Sequence, residues 1–490
     1  MKPEQKNKKN LQNIEVINSY LEFNNKFYDN CTITPLNHPL LASKNKKLFD
    51  EIGIDFDTTT NEDIIDILNG KQLLKGSKPY AMVYAGHQFG FYVEQLGDGR
   101  AINIGSFNNH HFALKGSGLT KYSRNGDGKA VLRSSIREYL MSEHLNALGI
   151  ESTRALAIIS SNHRVYRDLG HEKGSIVLRV SPSWIRFGTF EYYYNNGTKD
   201  DIRQLADFVI EQNYPDLKDL GKNIKYEYLF LNIVERTAKM IALWQCYGFM
   251  HGVMNTDNMS VAGVTIDYGP YAFMDNFKAD TICNHTDKQG RYSYSNQPFI
   301  AKWNLSCLAV AISPIVKNKQ KLNEYVQIFE SLERKEYYSL MNKRIGLDEN
   351  ISNDGNRSLI DDMLICMENA VVDYNLFFKT LEGFNKQDIL DICTYRDEIS
   401  SWLDKYLNII EEQNISKEKI KAKMDKINPK YILKNYIIQE VIDDANEDDF
   451  KLLNELLNIG QNPFDEHQKF ERYSKATPNE FSNIKLSCSS

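Results

Sequence analysis

His251-Gly-Val-Met-Asn-Thr-Asp-Asn258, with Thr265-Ile-Asp-Tyr-Gly269 close behind it, is the stretch on which the reading of this 490-residue chain turns. A polar loop rich in Asn and Asp is ordinarily a turn. Here Asn258 and Asp267 stand nine residues apart on a short, turn-rich segment. Such a pair can supply hard oxygen ligands to one magnesium ion. The segment follows a long helical pattern, about Tyr226 to Tyr247, with Phe230, Ile233, Val234, Thr237, Ile241 and Trp244 on one face. That placement favours a working loop over a plain turn.

Upstream the chain is rich in glycine. Nine of its 27 glycines lie between Gly86 and Gly128, and only four in the last 145 residues. Glycine serves where backbone turns sharply or approaches a ligand closely. Gln95-Leu-Gly97-Asp-Gly99-Arg100 reads as a hairpin with a G-x-G tip that could offer N–H groups to phosphate, or as an ordinary β-turn. In the strand-like run Phe112 to Lys115, alternation places Ala113 and Lys115 on one face, Phe112 and Leu114 on the other. Lys115 there either reaches an anionic ligand or points into water from an edge. Glu138 follows on a helix marked by Leu132, Ile136, Tyr139, Leu140 and Ala147, with Gly149 as its stop. It could pair with Lys115, or, since Ser135-x-x-Glu138 matches a capping box, merely satisfy a helix N-terminus. Arg179 and Arg186 suit bidentate phosphate contacts, with surface solvation as the alternative.

These pieces occur in the chain order of a protein kinase: glycine loop, strand lysine, helix glutamate, Asp-Asn loop, D-x-G. One element departs from it. The kinase base sits two residues after the histidine, and that position is Val253. Valine cannot deprotonate an alcohol, so ordinary γ-phosphoryl transfer is in doubt.

The chain resembles the selenoprotein O family of kinase-like protein adenylyltransferases. The resemblance rests on Tyr84 to Gly90, Gln95 to Arg100, Leu114 to Gly118, Tyr122 to Gly128, Val131 to Glu138, Arg186 to Gly188, His251 to Ser260 and Thr265 to Pro270. It implies an α+β, protein-kinase-like two-lobed fold with a largely helical C-terminal extension. It further implies ATP bound in an inverted orientation and AMP transferred to Ser, Thr or Tyr hydroxyls of protein partners. Gly97, Gly99, Arg100, Lys115, Asp127, Gly128, Arg179, Arg186 and Asp267 would hold the nucleotide, and Glu138 would pair with Lys115. Asn258 and Asp267 would hold Mg2+, with Mn2+ as the alternative. Asp257 would accept the proton, without needing a raised pKa if the alcohol proton leaves late. The inverted nucleotide makes Val253 intelligible, because the α-phosphorus then faces the hydroxyl. The rival readings are a γ-phosphotransferase using Asp257 and a silent nucleotide-binding pseudokinase. Cys283 and Cys488 resemble positions where the family carries cysteine or selenocysteine, which implies a labile regulatory disulfide. Two unpaired thiols are the plain alternative.

The expected partition is 1–70 as an N-terminal, helical and irregular extension, 71–195 as the first lobe, 196–345 as the second and 346–490 as the helical extension. Hydrophobic residues make up 42% and charged residues 25%, ordinary for a soluble globular protein. The balance of 59 Lys+Arg against 65 Asp+Glu argues against a general nucleic-acid binder. The best apolar run, Leu305 to Val316, has 12 residues, so no membrane span is expected. Seven scattered cysteines with no CxxC, and no leader-like apolar stretch at the N-terminus, point to a reducing, cytoplasmic setting.

Overall fold

Alternating apolar strands between Ala101 and Ser181 build the centre of an antiparallel sheet, seen in a computed structural model that describes residues 8–167, 170–221, 224–348 and 353–481. The strands in chain order are β1 (Tyr28–Asn30), β2 (Pro39–Lys44), β3 (Tyr80–Met82), β4 (Gly86–Gln88), β5 (Phe91–Val93), β6 (Ala101–Phe107), β7 (His110–Lys115), β8 (Ala130–Val131), β9 (Arg154–Arg167) and β10 (Gly170–Ser181). Their spatial order is β1-β3-β6-β7-β10-β9-β2, with β8 against β10, while β4 and β5 form a separate hairpin. Phe112, Leu114, Ile176 and Leu178 pack on one face under α1 (Lys46–Ile52) and α2 (Asn61–Leu68). Ala113 and Val177 belong to the core on the other face, shared with α3 (Leu132–Ala147). Lys115 pairs in register with Ala101 and Val177, so it stands on the α3 face in the middle of the sheet.

Two expectations need correction. The first 70 residues do more than lead in: β1 and β2 are the sheet's two edges. β1 has three residues, too few for alternation to reveal it, while β2 is irregular between Leu41 and Ser43 and opens on Pro39, as an edge strand permits. Gln95 to Arg100 is not a hairpin tip. Leu96 and Asp98 donate their N–H groups to the carbonyls of Tyr84 and Met82, so the segment runs extended beside β3. The β6–β7 hairpin turns instead at Asn108 and Asn109, both at positive φ (49° and 61°).

The remaining helices are α4 (Phe187–Asn196), α5 (Lys199–Asn213), α6 (Lys225–Tyr247), α7 (Gln297–Ile312), α8 (Lys319–Arg344), α9 (Asn353–Ala370), α10 (Tyr374–Leu381), α11 (Lys386–Asp391), α12 (Asp397–Glu412), α13 (Lys417–Met424), α14 (Asn435–Asn446) and α15 (Lys451–Gln461). Gly248, at φ 72°, ends α6 in a left-handed cap and turns the chain into the 251–271 loops. These are bracketed by the small ladder β11 (Phe249–Met250) and β12 (Ala272–Phe273). With its flanking turns, α7 makes a 22-residue helical run, Tyr294–Ile315, long and apolar enough by length and composition to cross a membrane. The 12-residue apolar run is bounded by Asn304 and Lys317, whereas the helix continues back across Asn304 and Lys302 through Trp303, Ile300 and Phe299. Half of its most apolar stretch is buried, and it packs against α4, α6 and α8.

Candidate active site

Asp267 is the focus of the charged residues. It sits at φ 54°, a left-handed conformation that Asp tolerates better than most side chains. Arg179 Nη2 lies 3.0 Å from its Oδ1, Arg186 Nη1 2.5 Å from its Oδ2, and Lys115 Nζ 3.8 Å away. Burial opposes ionisation there, but Arg186, Arg179 and Lys115 outweigh it and hold the carboxyl well below its ordinary range. Lys115 also pairs with Glu138, whose other oxygen lies 2.7 Å from Arg179 Nε. Burial would raise Glu138, yet Arg179 and Lys115 keep it lowered. The capping-box alternative is removed by the helix boundaries. α3 begins at Leu132 with Val131 as its cap residue, so Ser135 lies inside the helix and Glu138 nearly two turns along it.

These groups face a cavity of about 600 Å³. Its wall includes Gly97, Gly99, Arg100, Lys115, Asp127, Gly128, Arg179, Arg186, Val253, Asn258 and Asp267. The glycines are dictated by close packing. A Cβ on Gly97 would lie 2.4 Å from the Tyr122 ring, and one on Gly128 2.1 Å from the Gly118 carbonyl. Asp127 is held by Arg167 Nη1 and Nη2 at 2.9 and 2.7 Å. Seven cationic side chains line the cavity (Arg100, Lys115, Arg124, Lys129, Arg167, Arg179, Arg186) against three carboxylates (Asp98, Asp127, Asp267). That excess of positive charge suits a polyphosphate.

His251 is fully buried and structural. It contacts the Ile266 carbonyl through Nε2 at 2.9 Å and receives the Val253 N–H at Nδ1, tying the two loops together. Burial pushes it down to about 4, so it is neutral near pH 7. Asn258 donates its amide to the Val253 carbonyl at 3.0 Å. Asn258 and Asp267 thus line one cavity with hard oxygen donors, the chemistry a magnesium ion takes.

Asp257 is placed differently. Its side chain is not part of the cavity wall. Its carbonyl accepts from Arg186 at 2.7 Å, while its carboxyl is buried against β4. Gln88 Nε2 lies 3.3 Å from Oδ2, and among the described residues Oδ1 has no hydrogen-bond partner. Burial pushes this carboxyl up to about 6, a shift that the expected role does not require. Room for it depends on Gly86, where a Cβ would lie 2.6 Å from Oδ1. Gly86→Ala should therefore displace Asp257, at a stability cost of about 1–3 kcal/mol for overpacking. The check is a thermal melt beside an assay of turnover, which should fall far more than the melt implies.

Several participants were passed over in the sequence. Asp98, the middle residue of the G-x-G, is buried 3.9 Å from Arg186 and accepts from Asn103 and the Met82 N–H. Gln88 reaches Asp257 from β4, and Arg124, Lys129 and Arg167 add charge to the wall. Gln88, Asp98 and Arg124 stand inside the glycine-rich stretches that carry the resemblance and Lys129 borders one, while Arg167 lies well outside them. Cys283 is half-buried beneath the loop, 2.8 Å from where a Cβ on Gly252 would lie, and desolvation pushes its thiol up to about 12. Its expected partner, Cys488, lies outside the described residues.

A mixed α/β chain with a cationic, carboxylate-centred cavity fits a nucleotide-handling protein, and sequence comparison gives its family. Residues 10–461 match the family described as Protein adenylyltransferase SelO, and the chain belongs to it. It is 39% identical over 491 residues to the protein nucleotidyltransferase YdiU of Pseudomonas aeruginosa (strain LESB58), covering 98% of this chain and 100% of the relative. The YdiU protein of Ectopseudomonas mendocina (strain ymp) is 40% identical over 494 residues, with the same coverage. That of Aliivibrio fischeri (strain MJ11) is 40% identical over 466 residues, 93% of this chain and 95% of the relative.

Proposed function

We propose that this chain is a protein adenylyltransferase that moves AMP from ATP to Ser, Thr or Tyr hydroxyls of proteins and releases pyrophosphate. The observation that carries the reading is the cavity itself, seven cations around three carboxylates with Val253 where a kinase keeps its base. Membership of the SelO family supports it. In this reading the fold is kinase-like and two-lobed: the sheet with α3 is one lobe, the helices from α4 onward are the other, and the nucleotide lies between them.

Arg100, Lys115, Arg179 and Arg186 would bind the phosphates. Gly97, Gly99 and Gly128 would let the backbone approach them, and Asp127 would hold its loop in place through Arg167. Arg179 and Arg186 pair with Asp267, and a triphosphate would compete for the same guanidinium groups. That exchange would release Asp267 to join Asn258 on a divalent ion, which we take to be magnesium. When bound, that ion screens charge on the triphosphate and the departing pyrophosphate. Glu138 positions Lys115. Asp257 would take the hydroxyl proton of a target protein approaching from the β4–β5 side, and its buried, under-bonded carboxyl is suited to that work.

Labelling decides the matter. With α-labelled ATP and magnesium, protein becomes labelled and its intact mass rises by one AMP per modified hydroxyl. Label arriving only from the γ position would establish a kinase instead. Lys115→Met should weaken ATP binding and leave Glu138 facing Arg179 alone, which calorimetry with ATP would read directly.

A further inference from the structure

On the far side of the β4–β5 hairpin, three side chains of metal-ligand chemistry meet. His87 comes from β4, Glu191 from α4 and Cys307 from α7, and their ligand atoms all lie within 4.8 Å of one another. His87 Nδ1 is 2.5 Å from Glu191 Oε1. The Glu191 side chain is only 4% exposed, yet among the described residues no lysine or arginine pairs with it. A buried carboxylate without a full positive partner is costly. The cluster opens onto a second cavity of about 390 Å³, which shares no lining residue with the cationic one.

We propose that His87, Glu191 and Cys307 form a site for a zinc-class divalent cation, with water from the adjoining cavity as fourth ligand. Imidazole, carboxylate and thiolate together are the donor set of zinc and cobalt(II), not of magnesium, which prefers oxygen alone. Three ligands and an open fourth position match the coordination number of such ions. The outer shell is already built. The Thr256 hydroxyl donates to the second Glu191 oxygen and in turn accepts the His87 backbone N–H at 2.7 Å. The rings of Tyr92 and Trp303 each stand 5.2 Å from the imidazole. Such partners orient ligands and tune affinity.

Cys307 offers a thiol, which ordinarily carries its proton near pH 7. On binding, a metal–sulfur bond forms and that proton passes to water, the usual exchange at a thiolate site. Because the ligands stand on three separate elements, the ion would fasten the hairpin to α4 and α7. Thr256 immediately precedes Asp257, so the fastening would act next to the proposed proton acceptor.

Cobalt(II) titration of the full chain in excess magnesium tests this. One equivalent should produce a thiolate-to-cobalt charge-transfer band that zinc displaces. Cys307→Ser, at a half-buried position, should abolish the band while melting like the parent. His87→Gln should weaken cobalt binding by at least about tenfold, the lower end of what even an outer-shell change costs. Asp267→Asn, which disables the proposed nucleotide site, should leave the band intact, so the outcome does not depend on transfer activity. No band, or a band that survives Cys307→Ser, overturns the proposal.

Discussion

Asp267→Asn should abolish AMP transfer, with a loss of at least about 10²–10³-fold, the scale of one lost electrostatic contact in a transition state. Asparagine is the informative replacement because it tolerates the left-handed backbone that Asp267 adopts, whereas alanine adds strain. The change removes charge and little else. Arg179 and Arg186 lose their shared countercharge, and the proposed metal pair keeps only neutral oxygens. Calorimetry should show magnesium-dependent ATP binding weakened, with the metal-independent part spared or strengthened as the arginines turn to phosphate. Turnover within tenfold of the parent would remove Asp267 from the proposed chemistry.

Asp257→Asn should leave ATP binding near normal and slow transfer by ~10²–10⁴-fold, the range for a lost general base. Asparagine keeps the shape beside Gly86 and can still meet Gln88. The pH profile gives a second readout. Burial raises the Asp257 carboxyl to about 6, so above that pH it is ionised and able to accept a proton. As pH falls through about 6 it becomes protonated, and kcat/KM of the parent should decline on that acidic limb. The residual rate of Asp257→Asn should lack the limb. A parent profile flat down to pH 5 would show that no group with this pKa controls the reaction.

Much of the site could be read from residue type and order, because the relevant signals are local. Alternation put Lys115 and Ala113 on the face that meets α3, and helical spacing put Glu138 on α3 itself. The apolar stripe of α6 and its glycine stop placed the loop that follows. What escaped depends on contacts distant in the chain. The extended path of Gln95 to Arg100 is set by hydrogen bonds to the carbonyls of Tyr84 and Met82, which no pattern within the segment records. Gly97 answers to the ring of Tyr122 and Gly99 to its backbone carbonyl, more than twenty residues on. Asp257 has a raised pKa because β4 is laid over it, and neither Gly86 nor Gln88 announces that in sequence. The edge strand β1 is too brief for periodicity to show, and the irregularity between Leu41 and Ser43 breaks it in β2.

The helix that carries Glu138 is gripped from behind as well as in front. Arg137 donates to Asn435, His144 binds the Gly460 carbonyl and the Leu433 N–H, and Gln461 reaches Glu143. α14 and α15 thus lie along the back of α3. In protein kinases the corresponding Lys–Glu pair is made and broken by repositioning that helix. Here such a swing would first have to peel two C-terminal helices from a buried, hydrogen-bonded seam. α14 and α15 therefore brace α3 and hold the Lys115–Glu138 pair in its assembled form. Cutting the chain before residue 430 would free the brace, strip an apolar face from α3, and yield a fragment that is both less soluble and looser at Lys115.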